Sequence, residues 1–187
     1  MNNYFRCVAA DPPWFERGGG QYKRGADRHY SLLSTPEIID TMRYSPFWLP
    51  DKSGCLLWLW TTSNFLQDAF TVIDALDFKY ITHFVWVKDK IGLGQRSRQR
   101  HEHLLLARMG KVPVPLPPDR PDSVIDEAEA YEEIFGGSLR VTKEQHSRKP
   151  LEAYRRIERS CEGPRLEMFA REPRDGWTVW GNDERLK

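Results

Sequence analysis

The chain has 187 residues with 28 basic and 27 acidic side chains and a formal charge of +1, so no global field indicates a nucleic-acid partner and any basic site must be local. The longest apolar run, CLLWLW at 55–60, is too short to span a bilayer, and no membrane segment is predicted. Cys7, Cys55 and Cys161 are odd in number and far apart, which disfavours a disulfide framework or a thiolate zinc site and favours a reducing cytoplasm.

Apolar runs alternate along the chain with helical patterns, which predicts an α/β fold with helices on the faces of a sheet. Strands are predicted at 5–10, 54–61, 80–88, 102–108, 165–171 and 176–182. Helices are predicted at 34–42, 64–76 and 149–160, the first because Ser34, Pro36 and Glu37 form a start signal. Residues 89–101 form a polar loop, 111–122 are proline-rich and extended, and 126–133 are acidic and helix-permissive. The length favours one domain over 1–187.

Residues 7–20 read CVAADPPWFERGGG and carry the first strand into a rigid turn. Pro12 and Pro13 end the strand, because they fix φ and remove two backbone donors. Ligands bind beyond the carboxyl ends of parallel strands, where Asp11 is placed. A turn aspartate that caps the backbone is the ordinary interpretation, but Asp11, the proline carbonyls and the Trp14 ring together suit a planar amine such as that of adenine. Trp14 would stack on the base, a contact of about 1–3 kcal/mol.

Local positive charge lies in the loop GQRSRQRHEH at 94–103. Arg96, Arg98 and Arg100 alternate there, and Lys88 and Lys90 precede them. Such arginines can pair with phosphates. An exposed polar loop explains them equally well from the residues alone.

Two histidines, His101 and His103, flank Glu102 at the end of this loop. Residues two apart on a strand face the same way, so a metal site is conceivable. No cysteine pair or third ligand lies nearby in the sequence, and the metal interpretation is therefore the weaker one.

The sequence resembles the DPPW-type adenine-N6 methyltransferases, which are related to the catalytic subunit of the mRNA adenosine methyltransferase and also occur in bacteria and phages. After DPPW, the resemblance continues in the family's order through HFVWVK, GLGQRSRQRHEHLLLARMGK, PDSVI, HSRKPLEAYRRIE, LEMFAR and GWTVWGND. It implies a Rossmann-like methyltransferase fold in permuted order, with the catalytic motif before the cofactor segments and a mostly parallel sheet with helices on both faces. It also implies S-adenosylmethionine as the methyl donor.

The resemblance assigns catalysis to Asp11, Pro12, Pro13 and Trp14. It gives Asp11 the target amine, and the ammonium of the cofactor's methionine as a further contact. Lys149, in HSRKP, matches the lysine that holds the cofactor carboxylate. The residues agree, since a lysine at a helix start lies next to the positive end of the helix dipole and forms an anion site.

The remaining implied site residues lie in the last strands and in the loops beside the active edge. Arg171, Asn182 and Asp183 match positions that contact the cofactor's ribose and adenine. The candidate substrate-binding residues are Tyr30, Lys88, Arg96, Arg98, Arg100, His101 and Glu102. Two departures from the family are visible: 171–176 lacks the His-Asn pair of the eukaryotic subunit, and 127–143 is an inserted surface element.

We therefore predict an S-adenosylmethionine-dependent methyltransferase that methylates the N6 amine of adenine in nucleic acid by direct in-line transfer, with no metal. Compact microbial architecture favours DNA over RNA, and base contacts would come from the loops at 15–30, 89–101 and 111–143. The alternatives are an RNA adenosine methyltransferase, a non-catalytic nucleic-acid-binding subunit of the same fold and, more distantly, an NAD-linked oxidoreductase. A homodimer or a partner subunit is compatible with the sequence, and a bacterial or phage-encoded cytoplasmic protein is expected.

Overall fold

The computed structural model of the protein describes residues 4–15, 32–92, 96–126 and 149–181. Its seven strands are β1 (Cys7–Ala10), β2 (Gly54–Thr61), β3 (Lys79–Val87), β4 (His101–Gly110), β5 (Val124–Asp126), β6 (Arg165–Met168) and β7 (Trp177–Trp180). Its α-helices are α1 (Thr35–Arg43), α2 (Leu66–Ala75) and α3 (Leu151–Ser160). Short 3-10 helices cover Ser63–Phe65 and Pro117–Asp119. No helix of the described segments is both long and apolar enough to cross a membrane.

The strands form one sheet in the order β5–β3–β4–β2–β1–β6–β7. Four neighbouring pairs are parallel, and the two antiparallel pairs both involve β4. Six strands therefore share one direction and β4 alone runs against them. This confirms the predicted mostly parallel α/β sheet, and it places the start of β4 at the edge where the other strands end.

Helices cover both faces of the sheet, as predicted. Along β1, Val8 and Ala10 face α1 and α2, and Cys7 and Ala9 face α3. The α1–α2 face contains Ile38, Met42, Val72, Ile73, Leu57 and Leu105, and the α3 face contains Ala153, Tyr154, Ile157, Trp58, Trp60 and Trp86. Because the central strands are buried on both faces, they read as continuous apolar runs in the sequence. Each large side chain buried there contributes about 1.5–3 kcal/mol.

The start of α1 follows the signal expected from its sequence. The backbone N–H of Ser34 donates to Glu37 Oε2 at 2.8 Å, and the Ser34 hydroxyl donates to the same oxygen at 2.6 Å. Pro36 occupies the first turn, where a missing backbone donor costs nothing. These local contacts fix the entry of α1 directly after the segment that pairs with Trp14.

The structure differs in several details from the elements expected from the sequence. β6 ends at Met168 and not at 171, because Phe169 has a left-handed φ of 62° that a strand cannot continue. β5 was not predicted, and it pairs with β3 over three residues only. Residues 111–122 are largely exposed and extended, but Pro117–Asp119 forms a 3-10 turn. The acidic stretch at 126–133 and the insertion at 127–143 lie outside the described residues, apart from Asp126 itself.

The three cysteines, distant in sequence, converge at the amino edge of the sheet. Cys7 and Cys161 hydrogen-bond through their side chains. That bond, assisted by the Gly163 backbone and by Arg165, lowers the pKa of Cys161 to about 6. Burial raises the pKa of Cys7 well above its usual range and that of Cys55 to about 12. All three thiols are free, so no disulfide is formed among them.

Candidate active site

The carboxyl edge of the sheet brings together five predicted site residues. Asp11 directly follows β1, Lys88 follows β3, and Arg171 lies just beyond β6. Glu102 is the second residue of β4, which reaches this edge because β4 runs in the opposite direction. Lys149 lies two residues before α3. Residues separated by up to 160 positions in the chain thus meet at one place.

These five side chains form an alternating series of charges, which we call the charge chain. Arg171 Nη2 lies 3.4 Å from Asp11 Oδ2, and Lys149 Nζ lies 2.8 Å from Asp11 Oδ1. Lys149 Nζ also lies 3.2 Å from Glu102 Oε2, and Lys88 pairs with the other oxygen of Glu102. With three cations and two carboxylates, the charge chain carries a net positive charge.

Burial makes the central members of the charge chain depend on one another. The Lys149 side chain is 10% exposed, and those of Glu102 and Asp11 are 16% and 18% exposed. Burial alone would raise the pKa of Glu102, but Lys149 and Lys88 outweigh it and lower that pKa to about 2. Burial likewise would lower the pKa of Lys149, but Asp11 and Glu102 reverse the effect and raise it. Glu102 and Lys149 are therefore both ionised at neutral pH.

Two tryptophans that the sequence did not single out support the lysines. Lys149 Nζ lies 5.2 Å from the ring centroid of Trp60, and Lys88 Nζ lies 4.6 Å from that of Trp86. The two indoles pack edge to face with centroids 6.0 Å apart. An ammonium group over an indole face is stabilised by about 0.5–2 kcal/mol. Their signal in the sequence is an apolar side chain at the second-to-last position of each strand, which core packing explains equally well.

Backbone hydrogen bonds reach both proline carbonyls of the turn at Pro12 and Pro13. The Trp14 N–H donates to Pro12 O at 3.0 Å, and the Leu33 N–H donates to Pro13 O at 2.8 Å. Each of the two proline carbonyls therefore already accepts one backbone hydrogen bond. A carbonyl oxygen has two lone pairs, so each can still accept a hydrogen from a ligand.

Trp14 is largely buried. Its Nε1–H donates to Trp60 O at 3.1 Å, and its ring stacks on Phe65 with centroids 5.6 Å apart. Only 9% of the residue is exposed, so most of the predicted stacking platform is covered. A small pocket beside it is lined by Trp14, Phe15, Leu33, Ser34, Thr35 and Phe65. Stacking of a base on Trp14 stays a prediction.

His101 and His103 lie on the α1–α2 face, away from the charge chain. The Nε2 atoms of both rings lie 3.3 Å from Ser63 Oγ, and Ser63 Oγ donates to Gln99 Oε1 at 3.1 Å. Burial and then the neighbouring His101 lower the pKa of His103. In the described segments no group of three His, Cys, Asp or Glu side chains could hold a metal ion. The structure thus separates His101 from Glu102, although both were predicted to bind substrate.

The arginine loop extends the β3–β4 pairing as a hairpin arm. The Lys88 N–H donates to Arg100 O at 2.8 Å, and Arg100 Nε returns a hydrogen bond to Lys88 O at 2.8 Å. Arg98 Nε donates to Gly92 O at 3.2 Å. Arg96, Arg98 and Arg100 are all exposed. The arm therefore presents three guanidinium groups at the same edge as the charge chain.

Several predicted residues lie outside the described segments. They are Tyr30, Asn182 and Asp183, together with most of the 15–30 loop and the 127–143 insertion. Their proposed contacts with substrate and cofactor stay predictions.

A second buried polar group, not anticipated from the sequence, links α3 to β6 near the site. Tyr154 Oη donates to Glu167 Oε1 at 2.6 Å, and Arg174 Nε donates to Glu167 Oε2 at 3.2 Å. The Arg174 guanidinium lies 3.3 Å from the centroid of the Tyr154 ring. A single glutamate inside the apolar strand LEM was the available signal, because a buried carboxylate requires partners.

Comparison with known proteins gives a family match and a curated relative. The MT-A70 family model matches residues 5–183. A curated relative, the Type II methyltransferase M.MunI of Mycoplasma sp, is 25% identical over 192 aligned residues, which cover 95% of this chain and 76% of the relative.

Proposed function

The chain belongs to the MT-A70 family, whose model spans nearly all of it, and from this we propose that it methylates the N6 amine of adenine in nucleic acid, DNA in preference to RNA, with S-adenosylmethionine as donor. Family membership and the relative named as a Type II methyltransferase support nucleic-acid methylation with a donor of this kind. Adenine as the target follows from the DPPW resemblance. The preference for DNA over RNA is carried over from the sequence analysis and is decided by the experiment below.

One observation carries the proposal: the carboxylate assigned to the target amine touches both described cations assigned to the donor. Asp11 Oδ1 lies 2.8 Å from Lys149 Nζ, and Asp11 Oδ2 lies 3.4 Å from Arg171 Nη2. An acceptor for the amine and the binding groups for the donor are thus adjacent at the carboxyl edge. In-line transfer requires this adjacency, because reacting atoms must be held at about 3–3.5 Å.

The donor set fits the amino-acid end of S-adenosylmethionine. Lys149 is a nearly buried ammonium group that precedes α3, so its charge adds to the positive end of the helix dipole. It would hold the donor carboxylate, and Arg171 would contact the ribose. Asn182 and Asp183 would complete the adenosine contacts.

When bound, the donor supplies an electrophilic methyl group on a sulfonium centre. Asp11 would accept a hydrogen of the adenine amine, with a proline carbonyl accepting the other, and this favours the pyramidal nitrogen that a nucleophile needs. Asp11 need not be a strong base, because the proton is lost readily once the nitrogen has become cationic. Asp11 and Glu102 place negative charge where that cation develops, in a site that is already oriented.

The target base must leave a duplex or come from a single strand to reach Asp11. Extrusion costs a few kcal/mol, and phosphate contacts from Arg96, Arg98 and Arg100 would offset it. The retained DPPW motif and the intact charge chain argue against a non-catalytic subunit. RNA as the substrate is the second candidate, because arginine contacts to phosphate do not distinguish the two polymers.

The test is methyl transfer from labelled S-adenosylmethionine to random-sequence duplex DNA, single-stranded DNA and RNA, followed by nucleoside analysis of the product. We expect N6-methyladenine, with DNA the better substrate. Asp11→Ala should abolish turnover while the protein stays folded, as circular dichroism checks. Asp51→Ala, at the opposite edge of the sheet, is the matched control and should stay active. A product other than N6-methyladenine contradicts the proposal. So does an Asp11→Ala variant that keeps a tenth or more of wild-type kcat, because that is a loss of only about 1.4 kcal/mol in transition-state stabilisation.

A further inference from the structure

Asp11 is engaged on both oxygens by cations. Oδ1 faces Lys149 at 2.8 Å and Oδ2 faces Arg171 at 3.4 Å. A neutral amine offers hydrogen bonds that are about half as strong as those of a charged donor. An adenine amine therefore competes poorly with Lys149 for Asp11 as the side chains stand.

Lys149 has a second anion that can hold it while it changes partners. Glu102 Oε2 lies 3.2 Å from Lys149 Nζ, and Glu102 is anchored in turn by Lys88. The Lys149 side chain is only 10% exposed and lies over the Trp60 ring. If Lys149 moved out into water, the partly buried carboxylates of Asp11 and Glu102 would lose the cation between them, so Lys149 leaves Asp11 only for another anion while Glu102 retains it.

We propose that the Lys149–Asp11 ion pair is a lock that the donor carboxylate opens, so that the site takes the methyl donor before it can bind the target amine. Lys149 passes from Asp11 to the donor carboxylate while Glu102 retains it, and Asp11 becomes free to accept the amine hydrogens. The inference rests on the proposed function for the identity of donor and amine. It adds a binding order and assigns Glu102 the task of positioning Lys149.

The lock predicts that the donor and the adenine amine bind cooperatively. Fluorescence anisotropy of labelled oligodeoxyadenylate, with and without saturating S-adenosylhomocysteine, measures this coupling in the absence of methyl transfer. We expect S-adenosylhomocysteine to tighten oligodeoxyadenylate binding about fivefold or more, a usual size for coupled sites. Calorimetry should show that the oligonucleotide tightens the binding of S-adenosylhomocysteine by the same factor, because the coupling between two binding sites is reciprocal.

Two matched ligands isolate the carboxylate and the amine. Methylthioadenosine has the adenosine and sulfur of the donor but no carboxylate, so it should bind without tightening oligodeoxyadenylate. Oligodeoxyinosinate has a keto group in place of the amine, so its binding should not respond to S-adenosylhomocysteine. Equal tightening with either of these ligands overturns the lock, since neither can exchange Lys149 for an amine at Asp11.

A protein variant tests the competition directly and does not depend on the oligonucleotide sequence. In Asp11→Asn the competing charge is gone, so S-adenosylhomocysteine should bind at least as tightly as to wild type, and the coupling should disappear. Asp51→Asn removes the same charge at the opposite edge and should behave as wild type. A severalfold weaker affinity of Asp11→Asn for S-adenosylhomocysteine would show that Asp11 holds the donor and does not block it.

The outcomes separate the lock from the function on which it rests. If wild type binds no S-adenosylhomocysteine, the proposed function itself fails. If wild type methylates adenine but binds donor and oligonucleotide independently, only the lock is overturned. Thermal melting of each variant confirms that the affinities refer to folded protein.

Discussion

Replacing Glu102 with glutamine should destabilise the protein in a pH-dependent way. Glu102→Gln keeps the size and an acceptor oxygen, but removes the charge that lies between Lys88 and Lys149. Lys149 would keep Asp11 as an anionic partner, whereas Lys88 would lose the ion pair that the structure shows for it. The variant therefore measures the contribution of one carboxylate to the charge chain.

The size of the effect follows from the pKa of Glu102. Its value falls from 4.5 to about 2 on folding, because Lys149 and Lys88 outweigh the cost of burial. A difference of about two and a half pKa units corresponds to about 3 kcal/mol at about 1.4 kcal/mol per unit. For a chain of this size, that loss lowers the melting temperature by about 6–12 °C.

The sign of the pH dependence is fixed by the direction of the shift. A carboxylate whose pKa is lowered in the folded state stabilises that state fully above its unfolded value. This contribution is lost as the pH falls from about 4.5 towards about 2. Urea titrations of wild type and variant between about pH 3 and pH 7 should therefore give a gap that is largest at neutral pH and narrows below about pH 4.5.

The matched control removes the charge of Glu158, which lies near the C-terminal end of α3, whereas Lys149 precedes the start of that helix. Glu158 accepts a hydrogen bond from Trp177 Nε1 at 2.8 Å, and glutamine can preserve that bond. Glu158→Gln should therefore cost much less than Glu102→Gln at pH 7. A Glu102→Gln variant as stable as wild type at pH 7, or a gap that widens as the pH falls, would refute the reasoning.

Three further predictions concern separate parts of the molecule. Lys149→Ala should weaken the binding of S-adenosylhomocysteine by about 1.5–3 kcal/mol, as measured by calorimetry. Unchanged affinity would reject Lys149 as the residue that binds the donor carboxylate. Replacing Arg96, Arg98 and Arg100 together with alanine should lower nucleic-acid affinity and leave cofactor binding intact. The slope of affinity against salt concentration should decrease by an amount equal to up to about three phosphate contacts; an unchanged slope would show that other residues bind the phosphates. Iodoacetamide should alkylate Cys161 at a rate that rises through a pKa of about 6, and faster labelling of the two buried cysteines, read by mass spectrometry, would contradict this.

The sequence was most informative where a side-chain pattern depends on local structure alone. Apolar runs without alternation predicted the central strands, since residues buried on both faces must all be apolar. The start of α1 was also predicted, because a capping box is complete within four residues. β5 escaped prediction because three residues contain too little of a pattern to separate a strand from a loop. The early end of β6 depends on the single dihedral angle of Phe169, which no composition rule indicates.

The site divides in the same way between motif and tertiary contact. Asp11, Lys149 and Glu102 were each identified from their motifs, but nothing local shows that Lys149 touches both carboxylates. That contact depends on β1 and β4 lying on either side of β2, which is a property of strand order. Trp14 shows the converse: its place in the motif suggested an exposed platform, whereas packing against Phe65 covers much of the ring.

The reversed direction of β4 brings the arm with the three arginines and the charge chain to one edge of the sheet. A strand parallel to its neighbours would present its last residues there, and its connection would have to cross the sheet. Because β4 pairs with β3 as a hairpin, Trp86 lies opposite Glu102, and the arm beyond them bears the three arginines. The hairpin therefore joins the arm that bears the three arginines to Glu102, the carboxylate that contacts Lys149. Under the proposed function, one hairpin would supply both the phosphate contacts and the carboxylate that positions the donor's lysine.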